Sequence, residues 1–263
     1  MMPETLHIDI DARGLARLTL ARPEKHNAIS PQMMDELTAA SKALGADRSV
    51  RVIVLAAEGA SFCAGGDLDW MRAQFEAGRD ERISEARRLA TMFRALNDLP
   101  KPVIARVQGN AFGGGVGLLS VCDLVIAAET ARFGLTEVRL GIIPATISPF
   151  VVARIGEGAA RPLIMSGKLI NASEAKAAGL AGHVVPAEDL DAAVEAEIGH
   201  FLKASPDAVA RGKTLARSLG MPITDAVIES VIEQLADTWE MEEAREGIAA
   251  FFERREPSWR SDA

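Results

Sequence analysis

Two short stretches hold the residue types from which a backbone-built catalytic site could be made. Cys63-Ala64-Gly65-Gly66-Asp67 follows the apolar run Arg51–Ala57 by way of Gly59 and Ser61. Asn110-Ala111-Phe112-Gly113-Gly114-Gly115-Val116-Gly117 grows out of the run PVIARVQG. Each is rich in Gly or Ala, and each enters a predicted helix, the first through Trp70 and Met71 and the second through LLSVC. Glycine lets the main chain approach a ligand closely, because no Cβ intervenes. The first N–H groups of a helix lack intrahelical partners, and the helix dipole favours negative charge there. Two such loops facing each other would aim two N–H donors at one oxygen, the arrangement of an oxyanion hole. A pair of tight packing turns would have the same spelling, and the residues alone leave both readings open.

Other chemistries are disfavoured. Gly113–Gly117 begins like the dinucleotide fingerprint G-x-G-x-x-G, with Glu137 about where its ribose-binding acid would stand. The third glycine fails in both frames, falling on Leu118 or on Ser120. Arg211-Gly212-Lys213-Thr214 ends like a P-loop, but Asp207 stands in the first glycine's place, in a helical context. No G-x-S-x-G elbow occurs, which argues against an α/β-hydrolase. The histidines His7, His26, His183 and His200 have no metal-ligand spacing, so no metal is expected. Cys63 and Cys122 are the only cysteines, which argues against a disulfide framework and fits a reducing cytoplasm.

The elements that must position these loops read as α/β. LHIDI and LARLTLA predict two strands around the turn Asp11–Gly14. Ser30 and Pro31 predict a helix start, with the helix running to about Gly45. Arg51–Ala57, PVIARVQG and LVIAAE are continuous apolar runs of the kind buried on both faces, and Phe133–Leu140 is a possible fourth core strand. Gln74–Arg82 reads as a mobile, exposed segment before a helix from about Ser84 to Leu99. From Pro206 onward the pattern is helical with mixed charge, so an α/β core over 1–204 and a helical region over 205–263 are expected. The 263 residues carry a net charge of −8, which argues against nucleic acid as the main partner. The start MMPETLHIDI lacks the basic and apolar regions of a secretion signal, and no apolar run is long enough to span a membrane.

The pairing of SFCAGGDLDWM with KPVIARVQGNAFGGGVGLLSVCDLVIAAETARFGLTEVRLGIIP resembles the crotonase, or enoyl-CoA hydratase/isomerase, superfamily. The likeness extends to ARPEKHNAIS, GKLINASEAKAAGLAGHVVP and EGIAAFFERREPSW, and so to nearly the whole chain. More narrowly, DLDWM with AFGGGVGLLSVCDLVIAAE, Thr136–Gly141 and Ser148-Pro149-Phe150 resembles the bacterial methylglutaconyl-CoA hydratases of leucine and acyclic-terpene degradation. The resemblance implies a ClpP-like spiral of ββα units with a C-terminal helical region used for trimerisation, as a homotrimer or a dimer of trimers. It implies an acyl-CoA thioester as partner and no cofactor beyond the coenzyme A carried by the substrate.

By the same resemblance, the oxyanion donors fall on the N–H groups of Ala64 and Gly114. Family hydratases usually carry two glutamates; here the first position is Gly117 and the second is Glu137, twenty residues on. Glu137 is therefore the expected acid/base, although in LTEVRL it otherwise reads as a solvated strand face shared with Arg139. The IPG-type turn of the family is replaced by Ile143-Pro144-Ala145-Thr146. Substrate- or CoA-binding positions are implied at Lys25, His26, Ala28, Gly65, Gly66, Asp67, Leu68, Phe112, Gly113 and Pro144. Trp70 and Met71 are implied at the acyl end, and Phe251 and Arg254 at the nucleotide end. Arg72 and Arg139 are candidates to meet a second carboxylate, and Cys122-Asp123 are expected to be structural. The expected reaction is hydration of a 2-enoyl-CoA, branched or carboxylated. With Gly117 lacking a carboxyl, a Δ3,Δ2-enoyl-CoA isomerase is the alternative enzyme, and a silent CoA-binding or RNA-binding protein the alternative of another class.

Overall fold

The computed structural model describes residues 3–260. A β-hairpin, β1 (Leu6–Ile10) and β2 (Leu15–Leu20), leads into α1 (Pro31–Ala46). The Ser30 hydroxyl accepts from the Met33 N–H at 3.2 Å and Pro31 opens the helix, the start that the residues predict.

The chain then winds through three similar turns. In the first, β3 (Val52–Ala57) and β4 (Ser61–Cys63) precede α2 (Leu68–Glu76), and α3 (Arg79–Asn97) carries the chain back. In the second, β5 (Val103–Val107) and β6 (Asn110–Phe112) precede α4 (Gly114–Ser120). In the third, β7 (Leu124–Ala128) and β8 (Arg132–Gly134) lead through a 3-10 turn, Glu137–Leu140, into α5 (Ser148–Ser166). A last short passage, β9 (Ile170–Asn171), α6 (Ala172–Ala177) and β10 (His183–Val185), returns to the first sheet before the helices α7 (Leu190–Leu202), α8 (Pro206–Ser218), α9 (Asp225–Trp239) and α10 (Glu242–Glu253).

Each turn lays one strand in each of two sheets. The larger sheet runs β1-β2-β3-β5-β7-β10 and the smaller β4-β6-β8-β9. Within them β3, β5 and β7 are parallel neighbours, and so are β4, β6 and β8. This is the expected spiral of ββα units. The strands of the larger sheet are buried on both faces, as their unbroken apolar runs require: Ile53 and Leu55 enter the main core, while Val52 and Val54 face Leu190, Val194 and Ile198 of α7. Ile228 and Ile232 of α9 belong to the main core as well.

Two expectations fail. Phe133–Leu140 is not one strand: it is β8 followed by the 3-10 turn, so Glu137 leaves the sheet. Gln74–Arg82 is exposed at Glu76, Gly78, Asp80 and Glu81, but it is largely helical and tied down rather than a loose segment. It forms the end of α2 and the start of α3, with Gln74 buried and Arg82 bonded to the carbonyls of Gln74 and Phe75. The charges that suggest exposure lie on the outer side of α3, whose inner side buries Ala86, Ala90 and Phe93. Among the described residues, no helix is long and apolar enough to cross a membrane.

Candidate active site

Because β4, β6 and β8 are parallel neighbours, their C-terminal ends lie side by side, the edge at which α/β sheets commonly place ligands. Those ends deliver the Gly65–Gly66 loop, the Gly113–Gly114 loop and Glu137. The two loops touch: a Cβ on Gly65 would lie 3.2 Å from the Phe112 carbonyl oxygen and 3.9 Å from the Gly113 Cα. Gly65 (φ 102°) and Gly113 (φ 48°) both hold positive φ, which L side chains rarely adopt, so the turns themselves require glycine.

The first loop is pinned by the segment before α1. Ile29 N–H donates to Gly65 O at 2.7 Å and Asp67 N–H to Ile29 O at 3.0 Å, a parallel bridge centred on Gly66. In such a bridge the flanking groups of Gly65 and Asp67 face Ile29, and the N–H of Gly66 turns the other way. The Ala64 amide also points to the neighbouring segment, donating to His26 O at 3.0 Å. This corrects the expectation that Ala64 is an oxyanion donor, because its N–H is already bonded. Among the described residues, the N–H groups of Gly65, Gly66 and Gly114 bond to no protein acceptor. Gly114 is the first residue of α4, where an unpaired N–H is inherent to the helix.

Glu137 opens its 3-10 turn over the second loop. Its Oε1 lies where a Cβ on Gly113 would come within 2.7 Å, so any larger residue at 113 would collide with the carboxyl. Oε2 is out of contact with solvent and without a hydrogen-bond partner, although the residue as a whole keeps some accessible surface. Burial pushes the carboxyl up to about 7, an effect only partly offset by the residue's own backbone N–H. The turn is held from below, where Leu140 and Ile142 pack with Trp239 of α9 and Ala244 and Ile248 of α10. The reading of Glu137 as a solvated strand face is therefore overturned by burial.

These groups open on a cavity of about 480 Å³. Ala64, Gly65, Gly66, Leu68, Trp70, Met71, Gly113, Gly114, Glu137, Pro144 and Phe251 all line it, as implied from the sequence. Phe251 does so from this chain's own α10. Lys25, His26, Ala28, Phe112 and Arg254 stand outside the lining. Lys25 is exposed and 3.4 Å from Asp69, and Arg254 caps the end of α10. Asp67 is also outside it. The Asp67 side chain caps α2 through the N–H groups of Asp69 and Trp70 and pairs with Arg22 at 2.9 Å, so its part is structural. Arg72 turns away over the Phe252 ring at 4.8 Å, whereas Arg139 lines the cavity but is exposed. Cys122 and Asp123 are structural, with Asp123 accepting from Val103 N–H at 2.8 Å and Lys213 at 2.7 Å.

Gly117 sits beneath the cavity. A Cβ there would lie 2.6 Å from Ile147 Cγ2 and 2.9 Å from the Phe93 ring, so hydrocarbon fills the space into which a second carboxyl would project. Sequence reasoning gave no site role to four polar residues of the lining, Gln74, Arg82, Thr136 and Thr146. For Gln74 a signal exists: it follows Trp70 and Met71 by four and three residues on one helix, and so shares their face.

Comparison with known proteins places this geometry. The family model described as enoyl-CoA hydratase/isomerase matches residues 11–262. A mouse mitochondrial protein named methylglutaconyl-CoA hydratase is 33% identical over 264 residues, covering 97% of this chain and 82% of the mouse protein. The crystal structure of an enoyl-CoA hydratase from Mycobacterium avium superposes with a TM-score of 0.85 at 32% identity, covering 98% of this chain and 100% of that one. That of an enoyl-CoA hydratase from Shewanella pealeana gives 0.80 at 36% identity, over 98% of this chain and 96% of that one.

Proposed function

The chain belongs to the enoyl-CoA hydratase/isomerase family, and from that premise we propose that it adds water across the 2,3 double bond of an enoyl-CoA with Glu137 as its single acid/base. The observation that carries the proposal is the Glu137 carboxyl, buried and unpartnered against a loop whose Gly114 N–H, like that of Gly66, is free. The thioester oxygen accepts from Gly66 and Gly114. Glu137, as carboxylate, takes a proton from water while the hydroxyl bonds to C3; the π electrons move through C2 to the thioester oxygen as an enolate. The carboxylic acid so formed returns that proton to C2, and the enolate collapses back to the thioester. Each oxyanion donor contributes about 3–4 kcal/mol to such a transition state, and a positioned carboxyl about 10²–10⁴-fold. A carboxyl titrating near 7 is populated in both forms at neutral pH, as a group with both duties needs.

The name of the mouse relative supports a branched or carboxylated acyl group, 3-methylglutaconyl-CoA among them. The coenzyme A arm is read as leaving past Leu68 and Phe251 towards Lys25, His26 and Arg254. A homotrimer or dimer of trimers draws support from Leu215, Leu219 and Met221, exposed apolar side chains on and just after α8. The hydrocarbon over Gly117 favours one rival, a Δ3,Δ2-enoyl-CoA isomerase, because one acid suffices to move a proton between two carbons.

Incubation of the pure protein with crotonyl-CoA, following loss of the enoyl-thioester absorbance, tests the reading. Glu137→Gln is expected to lose at least about 100-fold in turnover while still binding the thioester. No loss of absorbance with any 2-enoyl-CoA, together with conversion of a 3-enoyl-CoA, would end the hydratase claim in favour of the isomerase.

A further inference from the structure

The proposed reaction leaves several polar residues of the cavity unused, and two of them, Gln74 and Arg82, meet at the end of α2. Gln74 is only 5% exposed, yet its side-chain amide makes no hydrogen bond among the described residues while the residue lines the cavity. Its amide atoms are not sealed off from the cavity, so they stand there as a donor and an acceptor that no protein group uses. Arg82 is beside it. The guanidinium donates from Nε to Gln74 O at 2.8 Å, from Nη2 to Phe75 O at 3.2 Å and from Nη1 to Glu240 at 2.8 Å. It also lies over the Trp239 ring at 5.4 Å. Three of its five N–H groups are engaged by these bonds; the remaining two meet no acceptor among the described residues. Those bonds hold the fork rigid at the C-terminus of α2, where carbonyls favour a cation.

The wall leading to this corner is apolar, formed by Ala86 and Leu89 of α3, Leu235 of α9 and Ile142. Gln74 stands seven residues beyond the cap Asp67, about 10 Å along α2 from the oxyanion loop. A group bound there is separated from the thioester by an acyl chain of several carbons. The local chemistry offers N–H donors in excess and one positive charge, whose partner Glu240 is half exposed to water. An acceptor-only anion answers that set, and Arg139, being exposed, competes for it poorly.

We propose that the acyl group ends in a carboxylate received by the Gln74 amide and the free N–H groups of Arg82, so that the preferred substrates are medium-chain dicarboxylic acids esterified to coenzyme A at one end. The proposal rests on the enoyl-CoA reading of the same cavity and narrows it.

Binding of saturated thioesters tests recognition without turnover. Titration calorimetry of octanedioyl-CoA and octanoyl-CoA into the full-length protein is expected to show at least about tenfold tighter binding of the diacid, the factor that one hydrogen bond to a charged group supplies. Gln74→Leu is expected to collapse that ratio. Equal or tighter binding of octanoyl-CoA by the wild type overturns the proposal, with or without a folded variant, and so does a folded Gln74→Leu protein that keeps the ratio. If the ratio holds but no 2-enoyl-CoA is hydrated, the hydratase reading alone falls.

Discussion

Glu137→Gln is expected to stabilise the protein, and to do so only above a definite pH. The carboxyl titrates near 7 in the folded state because burial disfavours its charge, against 4.5 for the ordinary group. A folded value raised above the unfolded one means that the native state holds its proton more tightly. Stability from that source is complete below about pH 4.5 and is lost as the pH rises through about 7. At about 1.4 kcal/mol per pH unit, ionised Glu137 opposes folding by about 3 kcal/mol at pH 8, and by under about 1 kcal/mol at pH 5. Glutamine has no proton to lose, so the variant escapes the penalty. The buried amide carries a cost of its own, but that cost does not change with pH, and the difference between two pH values removes it. Urea unfolding of wild type and variant at matched concentration, followed by tryptophan fluorescence, should show the variant gaining about 2–3 kcal/mol relative to wild type between pH 5 and pH 8. A gap that stays constant over that range would refute the claim that burial governs this carboxyl.

The same ionisation governs rate with the opposite preference. Since water activation begins with carboxylate, kcat/KM on crotonyl-CoA should fall about tenfold per pH unit below about pH 7, and a flat profile between pH 5.5 and pH 7 would contradict that starting state. Gly117→Ala should cost about 1–3 kcal/mol, because its methyl would lie 2.6 Å from Ile147 Cγ2 and 2.9 Å from the Phe93 ring; an unchanged urea midpoint would show that this floor can yield.

Much of the frame is legible in the residues. VIVLAA, VIARV and LVIAA are unbroken apolar runs because both faces of the larger sheet are covered, and such runs read as buried strands without further help. The two glycine loops are legible for a similar reason: positive φ and close approach leave glycine as the permitted residue at 65 and 113. What escapes reading is the direction of individual groups. Whether residue 64 or residue 66 turns its N–H to the cavity depends on a bridge to Ile29, thirty-seven residues away from Gly66, which no local pattern encodes. Gln74–Arg82 misleads because its polarity is real, yet Gln74 faces the cavity and Arg82 ties two helices together. Burial of Glu137 depends on Trp239, at the end of α9, and on α10, more than a hundred residues later in the chain.

That dependence bears on how a site with one acid can work at all. The cavity presents the free amides of Gly66 and Gly114, an acid near its midpoint of ionisation and hydrocarbon where a second acid would project. When Glu137 is protonated, neither it nor the two glycine loops it faces carries a net charge. Ionising it is costly there, which leaves the carboxylate a stronger base than an exposed glutamate. In the enolate the charge leaves that carboxylate for the thioester oxygen, where two fixed N–H dipoles already point. Charge thus moves from a position that burial penalises to one that the backbone stabilises, and both contributions act along the reaction rather than on the resting complex. A second carboxylate beside the first would raise the cost of ionising either, so the apolar floor over Gly117 is consistent with a site tuned around one proton.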